Sequence, residues 1–257
     1  SIYEAPLNFE KDHLGDMLLE ALKLPKKASL AQHQIRFGAG LAAWKKFALA
    51  TVDTKSPEVA IAIGGKNFDT GGFVLSDADR SVIEKIKFST AMLGRRAKIT
   101  WVNSKDIENG SRIGTSAGKR ATALLARYQG IIVPGGVGET GIEGKIKAIQ
   151  FAREHKIPYF GLCYGMQLMV VEYARNVLKL KDAHTTEIKK STTDPVVDVM
   201  LEQKKHLADN KYGGTMRLGV YPCYLKKGSM ARAAYKRELV EERHRHRYEI
   251  NPAYVKR

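Results

Sequence analysis

One five-residue run, Gly161-Leu-Cys-Tyr-Gly165, limits the fold of this chain more than any other. An apolar, β-prone stretch at 157–162 leads into it, and a helix-prone stretch at 166–178 leaves it. Strand, sharp turn and helix with a nucleophile at the apex make a nucleophile elbow, with Cys163 where Ser often stands. The apex residue of such a turn is held in a strained backbone conformation, so small residues must flank it two positions away on each side. Gly161 and Gly165 meet that need. The turn sets the sulfur over the first turn of the next helix. Open N–H groups and the positive end of the helix dipole there suit negative charge. An inert, buried cysteine on a core strand would not require glycines on both sides.

The rest of the chain supplies the frame such an elbow needs. Residues 59–63, 97–102, 130–134 and 157–162 read as compact buried strands. Residues 77–93, 121–128 and 145–155 between them read as helices. Alternation of this kind predicts an α/β fold: a flavodoxin-like parallel sheet with helices on both faces. Ligands in such folds bind at the carboxyl ends of the strands. Cys163 and the loop Pro134-Gly-Gly-Val-Gly138 both lie at such ends and can share one site. The loop's backbone N–H groups are candidates for an oxyanion hole facing the thiol.

Upstream, residues 1–55 read as a linker and helical appendage, and 56–257 as the core domain. Leu14, Met17, Leu18, Ala21 and Leu22 recur at helical spacing, which predicts one helix over about 10–24, ended by Pro25. A second helical stretch is expected over 31–50. Downstream of residue 178 the pattern loosens. Residues 192–211 read as a polar surface excursion, and 216–225 alternate like a strand.

Composition excludes several classes. The chain has 257 residues, 44% hydrophobic, enough for one large or two small packed domains. No apolar run is long enough to span a membrane, and no signal-peptide pattern is present. Its two cysteines, Cys163 and Cys223, give no disulfide framework and fit a reduced, cytoplasmic setting. The opening residue is Ser1, not Met, which leaves room for a longer parent. A formal charge of +16 raises the question of polyanions. Yet Lys and Arg are spread along the chain without a basic tail or a nucleic-acid-binding motif, which argues against nucleic acid as the main partner. Residues 110–120 superficially suggest a phosphate loop. Three residues, not four, separate Gly114 from Gly118, and Arg120 stands where a magnesium-binding hydroxyl belongs. No Cys/His spacing suggests a metal site. None of the seven histidines carries the signature of a base for the thiol, and His244 and His246, set among arginines, read as packed or surface residues.

Four segments carry a resemblance. They are Ile132-Val-Pro-Gly-Gly-Val-Gly-Glu-Thr-Gly-Ile-Glu-Gly-Lys-Ile146, Gly161-Leu-Cys-Tyr-Gly-Met-Gln167, Gly213-Gly-Thr-Met-Arg-Leu-Gly219 and Glu242-Arg-His-Arg-His-Arg-Tyr-Glu-Ile-Asn251. Together they closely resemble the class I glutamine amidotransferase domain of the CTP synthase family. Ser1-Ile-Tyr-Glu-Ala-Pro-Leu7 resembles the linker that precedes that domain. The resemblance implies a Cys163 nucleophile that forms a glutamyl thioester, with the amides of Gly136 and Tyr164 as oxyanion hole. It also implies a glutamine site made of Gly136, Tyr164, Gly165, Met166, Gln167, Glu187 and Arg247, without a metal. Glu187 can pair with the ammonium of glutamine and Arg247 with its carboxylate.

Members of that family pass the ammonia to a synthase domain, which uses ATP and Mg²⁺ to aminate UTP to CTP. They respond to GTP and assemble as homotetramers. The resemblance therefore implies L-glutamine and a synthase domain as partners. This chain departs from the family in three places. Tyr164 replaces the usual Leu after the nucleophile, and His184-Thr-Thr-Glu187 replaces Asn-Ser-Thr-Glu. The family's His-Pro-Glu, source of its base, does not occur. The expectation is a piece of such an enzyme, nearly inactive alone. The alternatives are a non-catalytic scaffold or regulator on the same fold, or a related peptidase-like cysteine hydrolase.

Overall fold

The structure is a computed structural model that describes residues 2–25, 40–65, 80–109, 116–136, 138–200 and 217–257. In chain order the main elements are α1 (Ala5–Lys11), α2 (Leu14–Ala21), α3 (Leu41–Val52), β1 (Glu58–Gly65), α4 (Arg80–Met92), β2 (Arg96–Asn103), α5 (Ser104–Asn109) and α6 (Ser116–Leu125). They continue with β3 (Gly130–Val133), α7 (Ile142–Glu154), β4 (Tyr159–Gly161), α8 (Tyr164–Asn176), β5 (Ala183–Thr185), β6 (Asp194–Val199), β7 (Arg217–Tyr224), α9 (Met230–Tyr235), β8 (Leu239–His246) and β9 (Tyr248–Ile250). The predicted α/β fold is present: a four-stranded sheet in the order β2-β1-β3-β4, flanked by helices. Strands β3 and β4 pair in parallel, with Val133 opposite Gly161.

The chain divides into two compact units. The first holds α1 to α4 with most of β1 and β2. Its centre is aromatic. Phe47 of α3 is buried, and Tyr3, Trp44 and Phe88 of α4 surround its ring at centroid distances of 5.2, 5.3 and 4.8 Å. The indole N–H of Trp44 donates to the Tyr3 carbonyl at 2.8 Å. The single helix expected over 10–24 is instead two. His13 takes a left-handed conformation (φ 55°), which no right-handed helix accommodates, so α1 ends and α2 begins there. Of the second expected helix, 31–39 lie outside the described residues and the remainder forms α3.

The second unit holds α5 onward, together with the last turn of β1 and most of β3. Ile142, Ile146 and Ile149 of α7 pack with Tyr164, Leu168 and Val171 of α8 and with Val196 and Val197 of β6. The last pair corrects the sequence reading of 192–211 as a polar excursion. Residues 194–199 are a strand that pairs in parallel with β5 and antiparallel with β9, and Val196 and Val197 are buried. One pairing partner, β9, lies far along the sequence, and Pro195 disguises the strand locally. Residues 201–211 lie outside the described residues. Strand β7 falls within the strand read at 216–225, with Met216 outside the described residues. It pairs antiparallel with β8, from Arg217 opposite His246 to Tyr224 opposite Leu239. The rejected phosphate loop becomes helix α6 from Ser116, and 110–115 lie outside the described residues.

A lopsided ion pair joins α7 to α8. The Arg153 guanidinium donates through Nε and Nη2 to the Glu172 carboxylate at 2.8–3.1 Å. Asn176 Nδ2 donates to the same carboxylate at 3.0 Å. Glu172 is 1% exposed whereas Arg153 is 35% exposed. Removing the cation therefore strands a buried anion, while removing the anion leaves a cation that water can reach. Arg153→Met should cost about 3–4 kcal/mol and Glu172→Gln about 1–2 kcal/mol, read from urea unfolding midpoints.

Candidate active site

The elbow is built as its glycines require. β4 ends at Gly161, and Cys163 occupies the N-cap position of α8 at φ 49°, ψ −104°. An L-residue seldom tolerates that conformation, and such strain persists only where surrounding structure enforces it. The enforcement is steric. A Cβ on Gly165 would stand 2.1 Å from the Val133 carbonyl oxygen, and one on Gly161 would stand 2.6 Å from the backbone of Gly165 and Met166. The first turn of α8 thus lies directly on the ends of β3 and β4. Leu162 N–H donates to Val133 O at 2.9 Å, and Gly165 N–H to Leu162 O at 2.9 Å. The hydroxyl of half-buried Tyr159 donates to Gly165 O at 2.8 Å, clamping the helix start to the strand. Burial pushes that hydroxyl's pKa up, so it stays a donor.

Cys163 itself is exposed. The glycine loop after β3 abuts it: a Cβ on Gly135 would lie 3.6 Å from Cys163 Cβ, and one on Gly136 would lie 4.0 Å from the Tyr164 ring. Tyr164 N–H belongs to the open amino end of α8, whose first N–H groups have no partner inside the helix. The loop and the helix end therefore both adjoin Cys163. Tyr164 is buried, and its hydroxyl donates to Gly138 O at 3.2 Å, tying loop to elbow. The Lys145 ammonium sits 5.3 Å from the centre of the Tyr164 ring. Val137 lies outside the described residues.

The remaining candidates come from distant segments. Gln167 is buried one turn along α8, and its Nε2 donates to the Tyr248 carbonyl at 3.0 Å. Glu187 follows β5 in a turn where its N–H donates to Thr185 Oγ1 at 3.2 Å. Its charge reaches two tyrosines. The pKa of the Tyr164 hydroxyl is raised by burial first and by Glu187 next, and the same two causes, in the same order, raise that of Tyr248. Glu187 is thus electrostatically coupled both to the elbow and to the start of β9. Arg247 stands between β8 and β9. Its carbonyl accepts from Met200 N–H at 3.2 Å, and its Nε is buried without an acceptor among the described residues. Gly165 and Met166 lie in the first turn of α8. Tyr159 and Tyr248 escaped the sequence reading, since their parts are played by a clamp and a backbone carbonyl.

Four of the described histidines are engaged elsewhere. His155 Nδ1 bonds Phe151 O, His184 Nδ1 accepts from Thr185 N–H, and His244 bonds His246. None of these bonds reaches the thiol, and His33 and His206 lie outside the described residues. Among the described residues no group of His, Cys, Asp and Glu could hold a metal ion. Nor is any described helix long and apolar enough to cross a membrane.

Comparison with known proteins bears on this arrangement. The family described as Glutamine amidotransferase class-I matches residues 74–257. CTP synthase of Pyrococcus furiosus is 42% identical over 253 residues, covering 98% of this chain and 42% of the relative. CTP synthase of Caldanaerobacter subterraneus subsp. tengcongensis is 44% identical over 256 residues, covering 99% of this chain and 42% of the relative. The chain thus spans less than half the length of these curated relatives. A solved structure, the glutaminase domain of Trypanosoma brucei CTPS with bound acivicin, superposes with a TM-score of 0.66 at 37% identity. That match covers 77% of this chain and 70% of the other.

Strain at the thiol has a measurable consequence. Glycine accepts the Cys163 conformation without a Cβ penalty, at some cost in unfolded-state entropy. Cys163→Gly should therefore raise stability by about 1 kcal/mol, seen as a higher urea midpoint at unchanged slope.

Proposed function

The chain belongs to the class I glutamine amidotransferase family, and on that premise we propose that it is the glutaminase part of a CTP synthase. The observation that carries this reading is the strained, exposed Cys163 at the amino end of α8, with Gly135 of the glycine loop against it and Gly136 beside the Tyr164 ring. In the proposed reaction Cys163 Sγ attacks the carboxamide carbon of L-glutamine. The C–S bond forms and the carbonyl electrons move onto oxygen, where the N–H groups of Gly136 and Tyr164 stabilise them. The C–N bond then breaks, and nitrogen leaves as ammonia after gaining a proton. Water hydrolyses the thioester to glutamate and restores the thiol.

Recognition follows the charges. Glu187 takes the substrate ammonium. Arg247, with a buried Nε in need of an acceptor, takes the carboxylate. Gln167 and the backbone at Gly165 and Met166 line the site between them. The parent enzyme in this proposal is a cytoplasmic ligase of pyrimidine biosynthesis that makes CTP. Its synthase domain uses ATP and Mg²⁺ to activate UTP and receives the ammonia. GTP is its effector and a homotetramer its assembly. Residues 1–55 serve as the lead-in and 56–257 as the amidotransferase part.

Because the family's His-Pro-Glu does not occur among these residues, the chain by itself should release ammonia from glutamine only in traces. Robust turnover by the chain alone would overturn this point. Binding is tested separately. Glutamine should protect Cys163 from alkylation by iodoacetamide, and asparagine should not. Arg247→Ala should raise the protecting concentration at least about tenfold, as loss of a charge-assisted contact does. Absence of protection by glutamine would favour a non-catalytic scaffold.

A further inference from the structure

A second set of side chains, outside the proposed substrate contacts, holds those contacts in place. His246 closes β8, Tyr248 opens β9, and Arg247 lies between them. The His246 ring reaches over Arg247: its Nδ1 lies 3.1 Å from the Tyr248 carbonyl oxygen. A carbonyl can only accept, so Nδ1 carries the proton. In the neutral ring Nε2 is then an acceptor, and it lies 2.9 Å from His244 Nδ1, which must donate to it. The Tyr221 ring meets His244 edge-on at 5.2 Å, and the Arg217 guanidinium lies 4.7 Å over Tyr221. Arg217 in turn faces Glu249 at 3.8 Å.

The same Tyr248 carbonyl accepts from Gln167 Nε2 at 3.0 Å. A carbonyl oxygen has two lone pairs, and here one serves His246 and the other Gln167. Two consequences follow. The carbonyl decides which way the Gln167 amide points, because only the nitrogen end can face it. And the backbone around Arg247 is pinned on both sides, by Met200 N–H on its own carbonyl and by His246 on the next.

We propose that His246, oriented by His244, is a positioning residue for the glutamine site: its bond to the Tyr248 carbonyl sets Gln167 and Arg247 at once. It touches no substrate and makes no contact with the thiol. The inference rests on the amidotransferase reading above, which makes Gln167 and Arg247 substrate contacts.

The test uses the intact chain and two electrophiles. One is a chloroketone bearing the α-amino and α-carboxylate groups of glutamine. The Cys163 thiolate displaces its chloride, forming a C–S bond as the C–Cl bond breaks. The other is iodoacetamide, which lacks those groups. Adducts at Cys163 are followed by mass spectrometry. For the unaltered chain, labelling by the chloroketone should saturate. His246→Ala should raise the half-saturating concentration about tenfold, while the limiting rate and the iodoacetamide rate stay within about twofold. His246→Asn, whose side-chain amide can replace the Nδ1 donor, should restore most of the loss. His244→Phe keeps a ring against Tyr221 but removes the donor to His246. It should raise half-saturation about threefold, and it provides the test if His246→Ala does not fold.

Unchanged half-saturation in both variants would overturn the proposal. So would an equal change toward both electrophiles, which is the mark of general damage to the site. Chloroketone labelling of the unaltered chain that never saturates would overturn the amidotransferase reading itself, and the positioning role with it.

Discussion

The close approach of the first turn of α8 to the ends of β3 and β4 is the contact on which the rest of this site depends. There is no room for a side chain at Gly165, which faces the Val133 carbonyl, or at Gly161, which faces the helix backbone. Because the helix is pressed so near the sheet, the residue joining strand to helix must take a conformation that L-residues resist. Cys163 occupies it at φ 49°. Strain of this kind costs about 1–3 kcal/mol and is tolerated where the surroundings over-determine the backbone. Here the surroundings are the Tyr159 clamp on Gly165, the Leu162 bond to Val133 and the buried face of α8.

From that contact the site assembles outward through backbone groups more than through charges. Gly135 of the glycine loop lies against Cys163 because β3 and β4 are neighbours in register. Tyr164 fills the space behind the elbow and reaches Gly138. Gln167, one turn further along α8, reaches the Tyr248 carbonyl and so joins the helix to the β8–β9 junction. That junction carries Arg247, whose buried Nε lacks an acceptor among the described residues. A buried guanidinium nitrogen in that state suits a carboxylate partner.

How much of this was legible beforehand varies with the range of the interaction. The elbow was plain, since a strand-like run, two glycines and a helix-like run are local signals. The four sheet strands were found because each is a short apolar run between turn residues. The split between α1 and α2 was missed, because hydrophobic spacing carries no sign of a left-handed His13. Strand β6 was missed because Asp194-Pro195 and the polar residues around it mask Val196 and Val197, whose burial depends on β5 and β9. The roles proposed for Glu187 and Arg247 are readable only through likeness to a family. Nothing in their own neighbourhoods marks them.

By itself the sequence determined the class of fold, the place of the strained elbow cysteine and the glycines that make that place possible, because each follows from local sequence patterns and backbone sterics. Only the tertiary structure decided which distant groups meet there. It put the Tyr248 carbonyl between Gln167 and His246, the Glu187 charge within reach of Tyr164 and Tyr248, and the Glu172 carboxylate beneath Arg153. The physical reason is that hydrogen bonds and ion pairs between separate elements depend on how those elements pack, and packing leaves no periodic trace in a single chain.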